Sequence, residues 1–182
     1  MTDKTAGWPG DMTARERSER MIRVDHAGEY GAARIYAGQL AVLGRGRKGD
    51  VLRHMAAQEQ EHLRTFQALI ADRRVRPTVM LPFWHLAGFA LGAVTAALGE
   101  KAAMACTVAV EETIDAHYTR QIETMDPGEP DLRGTLERFR AEELEHRDIG
   151  LANGAEQAPG YRLLSRVIKA GCRTAIAISE RI

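Results

Sequence analysis

The sequence predicts an all-α protein, a four-helix bundle with additional amphipathic and hydrophobic helices. Three observations carry this expectation. Aromatic residues make up only 5% of the chain while alanine is abundant, a balance that favours closely packed helices over sandwich strands. Apolar residues recur at helical spacing along most of the chain, which is the primary signal for amphipathic helices. Glu-x-x-His occurs twice, as Glu59-Gln-Glu-His62 and Glu143-Leu-Glu-His146, and three-residue spacing puts both side chains on one helix face. At 182 residues the chain suits a single domain over 1–182 with a sizeable core.

Composition removes several function classes. The 25 basic and 25 acidic residues balance, so no global field recruits nucleic acid. Residues 1–10 read as a loose tail, and their order is not the basic-then-apolar order of a secretory signal. Cys106 and Cys172 stand in apolar helical patterns and read as buried, inert thiols of a reducing, cytosolic compartment.

In chain order, Thr13 or Asp11 caps a first helix over about residues 12–43. Its stripe of Ile22, Asp25, His26, Glu29, Ala33, Tyr36 and Leu40 is core-like apart from a carboxylate at its middle. Gly44–Asp50 is a basic, glycine-rich turn with Asp50 placed as the next N-cap. The second helix, about 51–73, turns Leu52, Met55, Glu59, His62 and Phe66 inward. Two prolines in Arg76–Pro82 break the pattern before the apolar run of 79–98. A third long helix, about 100–125, carries Met104, Val108, Glu111, Asp115 and Tyr118 on one stripe. Asp126–Pro130 is a turn, Asp131 caps a helix to about Asn153, and after Gln157–Gly160 an amphipathic helix runs to Ile182.

The chain therefore holds two similar halves, each a helix with an inward Glu followed by a helix with Glu-x-x-His. The Glu-to-Glu spacing is 30 residues in the first half and 32 in the second. In an antiparallel helix pair, residues equidistant from the turn lie at the same depth. The midpoint between Glu29 and His62 falls inside the first turn, and that between Glu111 and His146 inside the second. Six side chains can thus meet in one layer. One Glu from each of two helices plus Glu-x-x-His from each of the other two is the ligand set of ferritin-like dimetal carboxylate proteins. Four carboxylates balance the charge of two divalent ions, and oxygen with imidazole donors suits iron or manganese. Glu29 and His62 are assigned as terminal ligands of one ion, Glu111 and His146 of the other, with Glu59 and Glu143 bridging.

The remaining charged residues have plainer roles. Glu61, Glu142 and Glu145 fall about 100–200° of helix rotation from the metal-facing residues and read as solvated. Glu111 is preferred to Glu112 because it continues the apolar stripe. His26, His54 and His117 lack paired spacing and read as surface or satisfied core histidines. A pocket role is kept open for His117 and Tyr118. Asp25 or Asp115 accepting a hydrogen bond from a ligand imidazole is one reading, and a surface or packing role for either is equally open.

Residues 79–98 are interrupted by Pro82, His85 and two glycines, so a membrane crossing is not favoured. A crossing would also put the two halves of the site on opposite sides of a bilayer. A half-exposed helix lying on a membrane or partner is preferred to a buried fifth helix, with Arg73, Arg74 and Arg76 nearby for anionic headgroups.

Val24-Asp-His-Ala-Gly-Glu-Tyr-Gly-Ala32, Arg34-Ile-Tyr-Ala-Gly-Gln39, Arg74-Val-Arg-Pro-Thr78, Ala105–Glu112 and Glu142–His146 resemble the demethoxyubiquinone hydroxylases of ubiquinone biosynthesis, over about residues 20–182. The resemblance implies a peripheral membrane, non-haem diiron monooxygenase acting with O2 on a polyprenylated benzoquinone. Its iron ligands match Glu29, Glu59, His62, Glu111, Glu143 and His146, the same six. It also implies that Tyr118, His117 and the Gly171-Cys-Arg173 region lie near the quinone or electron path. An external reductant is expected, because no G-x-G-x-x-G fingerprint follows a strand here. Expected partners are the cytoplasmic face of the cell membrane, an accessory protein of the pathway and a second copy of the chain. Two rivals remain. A ferritin-like iron-oxidising or peroxide-scavenging protein would use the same six ligands without needing the apolar run, and a helical scaffold would bind no metal.

Overall fold

The computed structural model describes residues 12–46 and 48–182. The expected loose tail of residues 1–10 and the alternative cap Asp11 lie outside the described residues. Among the described residues there are six α-helices, a single 3-10 turn and no strand. They are α1 (Ala14–Leu43), α2 (Gly49–Asp72), α3 (Leu81–Ala97), α4 (Glu100–Thr124), α5 (Pro130–Ala152) and α6 (Tyr161–Ser179), with the 3-10 turn at Ala155–Gln157.

Thr13 caps α1 through a capping box. Its hydroxyl accepts from the Glu16 backbone N–H at 3.2 Å while the Glu16 carboxylate accepts from the Thr13 N–H at 2.7 Å, so two of the orphan donors at a helix start are satisfied. The two other expected caps are corrected. Lys48 and Glu129 occupy the N-cap positions of α2 and α5 without side-chain cap bonds, and Asp50 and Asp131 lie inside the first turns. There the carboxylates still complement the positive helix end, and Asp50 holds Arg53 at 2.5 Å. Pro130 opens α5, a position where its missing N–H costs nothing.

α1 with α2 and α4 with α5 form two packed helix pairs. The two remaining helices repeat the same relation, since α3 follows α2 and lies along α1, while α6 follows α5 and lies along α4. Two apolar layers bracket the middle of the bundle. One is built on Ile22, Phe66, Leu132, Leu136 and Phe139, the other on Leu52, Met55, Met104 and Val108.

The apolar run becomes α3, and it has two faces. Its glycine face is pressed onto α1, where a Cβ at Gly92 would collide with the Ile35 carbonyl and a Cβ at Gly88 would sit 2.8 Å from the Gly31 carbonyl oxygen. Removing side chains lets the two backbones approach closely. The Tyr30 hydroxyl and His85 Nδ1 are hydrogen-bonded at 2.7 Å across the same contact. The other face carries exposed Phe83, Leu86 and Val94, and α6 likewise exposes Leu163 and Val167. α3 is thus both a cover over α1 and an exposed apolar surface. None of the described helices is long and apolar enough to cross a membrane.

Candidate metal centre

Each of the bundle helices delivers its inward acidic residue to one layer between the two apolar clusters. Glu29, Glu59, His62, Glu111, Glu143 and His146 are all buried, none more than 1% exposed. One ligand atom from each of Glu29, Glu59, His62 and Glu143 lies within 4.8 Å of the others, and the same holds for Glu59, Glu111, Glu143 and His146. Glu59 and Glu143 belong to both groups, the arrangement expected of two adjacent cations sharing two carboxylates.

Both imidazoles turn Nδ1 into this layer. His62 Nδ1 lies 3.1 Å from Glu143 Oε1 and 3.4 Å from Glu29 Oε2. His146 Nδ1 lies 3.2 Å from Glu59 Oε1 and 3.3 Å from Glu143 Oε2. Despite this proximity, both oxygens of Glu59 and of Glu143, one of Glu29, one of Glu111 and both Nδ1 atoms lack a hydrogen-bond partner. Buried polar atoms are almost always satisfied, and leaving carboxylates so exposed to one another is costly. Eight such atoms on residues that form two overlapping groups fit a cation-binding layer, and the buried groups can hold a metal ion.

The electrostatics agree. Burial pushes the Glu29, Glu59 and Glu111 carboxyls above the ordinary carboxylate range, and the neighbouring Glu143 charge pushes them further. Burial acts upward on Glu143 as well, but His146 and His62 beside it outweigh that and hold it low. Burial would lower His62, yet Glu143 and Glu29 lift it well above the usual imidazole value. Without a cation the cluster must carry protons, and a divalent pair would displace them.

A second ring of residues orients these groups, and it follows the two-fold repeat. The Tyr118 hydroxyl donates to Glu29 Oε1 and the Tyr36 hydroxyl donates to Glu111 Oε1 at 2.8 Å. Each tyrosine stands seven residues after the acidic residue of its own helix and serves the one opposite. Burial, then the adjacent carboxylate, keeps both hydroxyls protonated as donors. The outer nitrogens of the imidazoles are held the same way, His62 Nε2 to Glu142 Oε2 at 2.6 Å and His146 Nε2 to Gln58 Oε1 at 2.9 Å.

Several sequence expectations change here. Glu142 is not a solvated bystander, because although it points to the side of α5, its side chain is long enough to reach the back of the imidazole on α2. Glu61 and Glu145 do lie at the surface, beside Arg138 and His54. Neither Asp25 nor Asp115 touches a ligand imidazole. Asp25 accepts from Gln121 at 2.8 Å and pairs with His117 at 3.1 Å, and Asp115 accepts from Arg140 at 2.6 Å. His117 is therefore a satisfied buried histidine next to Tyr118. Tyr36 was expected only as core, although the paired spacings Glu29–Tyr36 and Glu111–Tyr118 could have revealed it. Glu112 turns away from the layer to meet Lys169. Arg173 is exposed on α6 beside Thr174, Ala177 and Arg181, outside the converging set. Cys106 and Cys172 are free thiols. Cys106 is buried as expected while Cys172 is only half-buried, and burial pushes them up to about 12 and about 11, which disfavours the thiolate.

Known proteins share this chain's pattern almost end to end. The family described as "Ubiquinone biosynthesis protein COQ7" matches residues 16–179. The chain is 60% identical to the 3-demethoxyubiquinol 3-hydroxylase of Rhodospirillum rubrum over 175 residues, covering 96% of this chain and 82% of that protein. It is 54% identical to the mitochondrial NADPH-dependent 3-demethoxyubiquinone 3-hydroxylase of Homo sapiens over 183 residues, covering 98% and 84%. It is 41% identical to the mitochondrial 5-demethoxyubiquinone hydroxylase of Saccharomyces cerevisiae over 181 residues, covering 90% and 78%. With a match over nearly its whole length and a buried Glu/His layer on four helices, the chain belongs to the family of the ubiquinone biosynthesis protein COQ7.

Proposed function

We propose that this protein is a non-haem diiron monooxygenase that hydroxylates the ring of a demethoxyubiquinone, a polyprenylated benzoquinone, with O2. Its whole length serves as one ferritin-like unit. The observation that carries the reading is the set of eight partnerless buried atoms on residues that form two overlapping ligand groups between four helices. Glu29 and His62 would be terminal ligands of one iron, Glu111 and His146 of the other, and Glu59 and Glu143 would bridge. When bound, the two irons supply dioxygen reduction and oxygen transfer to an electron-rich ring.

The chain's own residues hold and tune that centre. Four carboxylates match four positive charges in a buried layer. Tyr36 and Tyr118 fix the orientation of the terminal carboxylates Glu111 and Glu29, and Glu142 and Gln58 fix the inward tautomer of the imidazoles. The apolar clusters on either side keep water from the layer. Electrons come from an external reductant, in keeping with the NADPH-dependent names of the relatives. Tyr118, bonded to Glu29, and its neighbour His117 would serve the substrate or electron path, and Arg173 would meet the quinone at the rim of α6.

The exposed faces of α3 and α6 would rest on the cytoplasmic face of the cell membrane as a peripheral contact, keeping the prenyl tail in lipid. An accessory protein of the pathway and a second copy of the chain are the expected protein partners. The ferritin-like iron-oxidising or peroxide-scavenging alternative shares the ligands, but the exposed Phe83, Leu86 and Leu163 favour a lipid substrate. Supplying iron, reductant and a demethoxyquinone, then looking for one added oxygen by mass, tests the proposal. Iron oxidation without quinone hydroxylation would support the alternative.

A further inference from the structure

The two halves of the site repeat one another closely, so the places where the repeat fails carry information. The terminal carboxylates are treated alike, each accepting from a tyrosine seven residues along the opposite helix. The imidazoles are not. In each half, the residue one before the bridging glutamate reaches across to the Nε2 of the other half's histidine. That residue is Glu142 behind His62 and Gln58 behind His146. The register is the same and the side chains have the same length, but one is a carboxylate and the other a neutral amide.

We propose that the two metal positions are inequivalent, with the Glu29/His62 position the tighter and first to fill because Glu142 backs its imidazole while only Gln58 backs His146. This rests on the dimetal reading given above. An imidazole donating its outer N–H to a carboxylate pushes more electron density to its inner nitrogen than one donating to an amide. The shorter contact, 2.6 Å against 2.9 Å, is what a charge-assisted hydrogen bond gives. The carboxylate also adds a negative charge near the first position and none near the second.

Two neighbours bear on the size of the effect. Arg138 Nη1 lies 3.7 Å from Glu142 Oε1, so it shares part of the charge through the oxygen that does not face His62. It also meets Glu61 at 3.0 Å, which divides its attention. Phe139 stacks on His62 with ring centroids 3.9 Å apart, holding the ring in the plane that serves both Glu142 and the inner layer. The rings against His146 stand farther off, Tyr36 edge-on at 6.0 Å and His62 at 6.4 Å. Packing therefore reinforces the same position that the carboxylate favours.

Stepwise Co(II) titration of the metal-free full-length protein, followed by visible absorption with a competing chelator, reads the two affinities separately. The natural protein should show two steps. Glu142→Gln should weaken the first by roughly 10- to 100-fold, the range for losing such a partner, and bring the two steps together. Gln58→Glu should strengthen the second step and leave the first in place. The double exchange Glu142→Gln/Gln58→Glu should restore two separate steps, with His146→Ala now costing the tighter one instead of His62→Ala. A purely structural role for Glu142 would lower both steps together and leave Gln58→Glu without effect. Two ions bound with equal affinity in the natural protein, or a Glu142→Gln step within twofold of the natural one, overturn the inequivalence and leave the dimetal reading intact. A natural protein that takes up fewer than two Co(II) ions overturns both.

Discussion

Tyr36 reaches across the bundle from α1 to donate its hydroxyl to Glu111 Oε1 on α4 at 2.8 Å. Tyr118 on α4 returns the same bond to Glu29 on α1, so the two helices hold each other's buried carboxylates in place. The pair is buried, with Tyr36 only 2% exposed, and each bond joins the two halves of the chain.

Tyr36→Phe keeps the ring and its packing but removes the donor. The metal-free protein should lose about 1–3 kcal/mol, the cost of a buried acceptor left unpaired, and iron retention after desalting should fall at the position that Glu111 serves. Thermal unfolding and an iron-to-protein ratio check this. Full iron retention with unchanged stability would remove Tyr36 from the site.

The buried carboxyls set a pH dependence for the metal-free protein. Glu29, Glu59 and Glu111 have folded values above the ordinary 4.5, and His62 and His146 have folded values above 6.5. The folded chain thus holds more protons than the unfolded chain above these ordinary values. Stability is therefore full below them and is lost as pH rises through the folded values. Glu143, held low, acts in the opposite sense, and only as pH falls below 4.5. The melting temperature in chelator should fall as pH rises from the ordinary carboxylate value of 4.5 through the neutral range. Iron-loaded protein should be much flatter over that window, since metal replaces the protons. A melting temperature of the metal-free protein that rises with pH would contradict the electrostatics of the layer.

Glu142 and Glu145 stand on the same helix as Glu143 and His146, and they should behave differently. Glu145 is 54% exposed at its side chain and lies 3.7 Å from His54 at the surface. Glu145→Ala should change stability by less than about 0.5 kcal/mol and leave iron content unchanged. Glu143→Ala should abolish binding of two irons. Metal loss in the Glu145 variant would mean that another face of α5 supplies the ligands.

The two faces of α3 can be separated by mutation. Gly92→Ala puts a methyl into the Ile35 carbonyl and should destabilise by about 1–3 kcal/mol through overpacking. Exchanging exposed Phe83 and Leu86 for Ser should leave the melting temperature nearly unchanged and weaken flotation with anionic liposomes. Unchanged partitioning of the Phe83/Leu86 variant would assign that face to a protein partner.

Much of this organisation was legible because it rests on periodicity. The helix pairs, the inward Glu29, Glu59, Glu111 and Glu143, and their common depth all follow from where turns fall and where carboxylates interrupt apolar stripes. Contacts between helices were less accessible. Glu142 lies about 100° from Glu143 around its own helix, and nothing local says that the imidazole of a neighbouring helix waits within its reach. The four-residue spacing of Asp25 from Glu29 leaves a bond to an imidazole and a packing role equally open, and only the fold shows it turned to Gln121 and His117. The apolar run carried two readings because a glycine face reads the same whether it meets α1 or a lipid surface. The close approach of Gly92 to Ile35 is what assigns one face to each role.

The most direct test of the central claim is a single turnover with the iron-loaded protein, reductant, a demethoxyquinone and isotopically labelled dioxygen. Two irons per chain and a product heavier by one labelled oxygen are expected, with Glu143→Ala inactive. An unlabelled or unchanged quinone from protein holding two irons would contradict it.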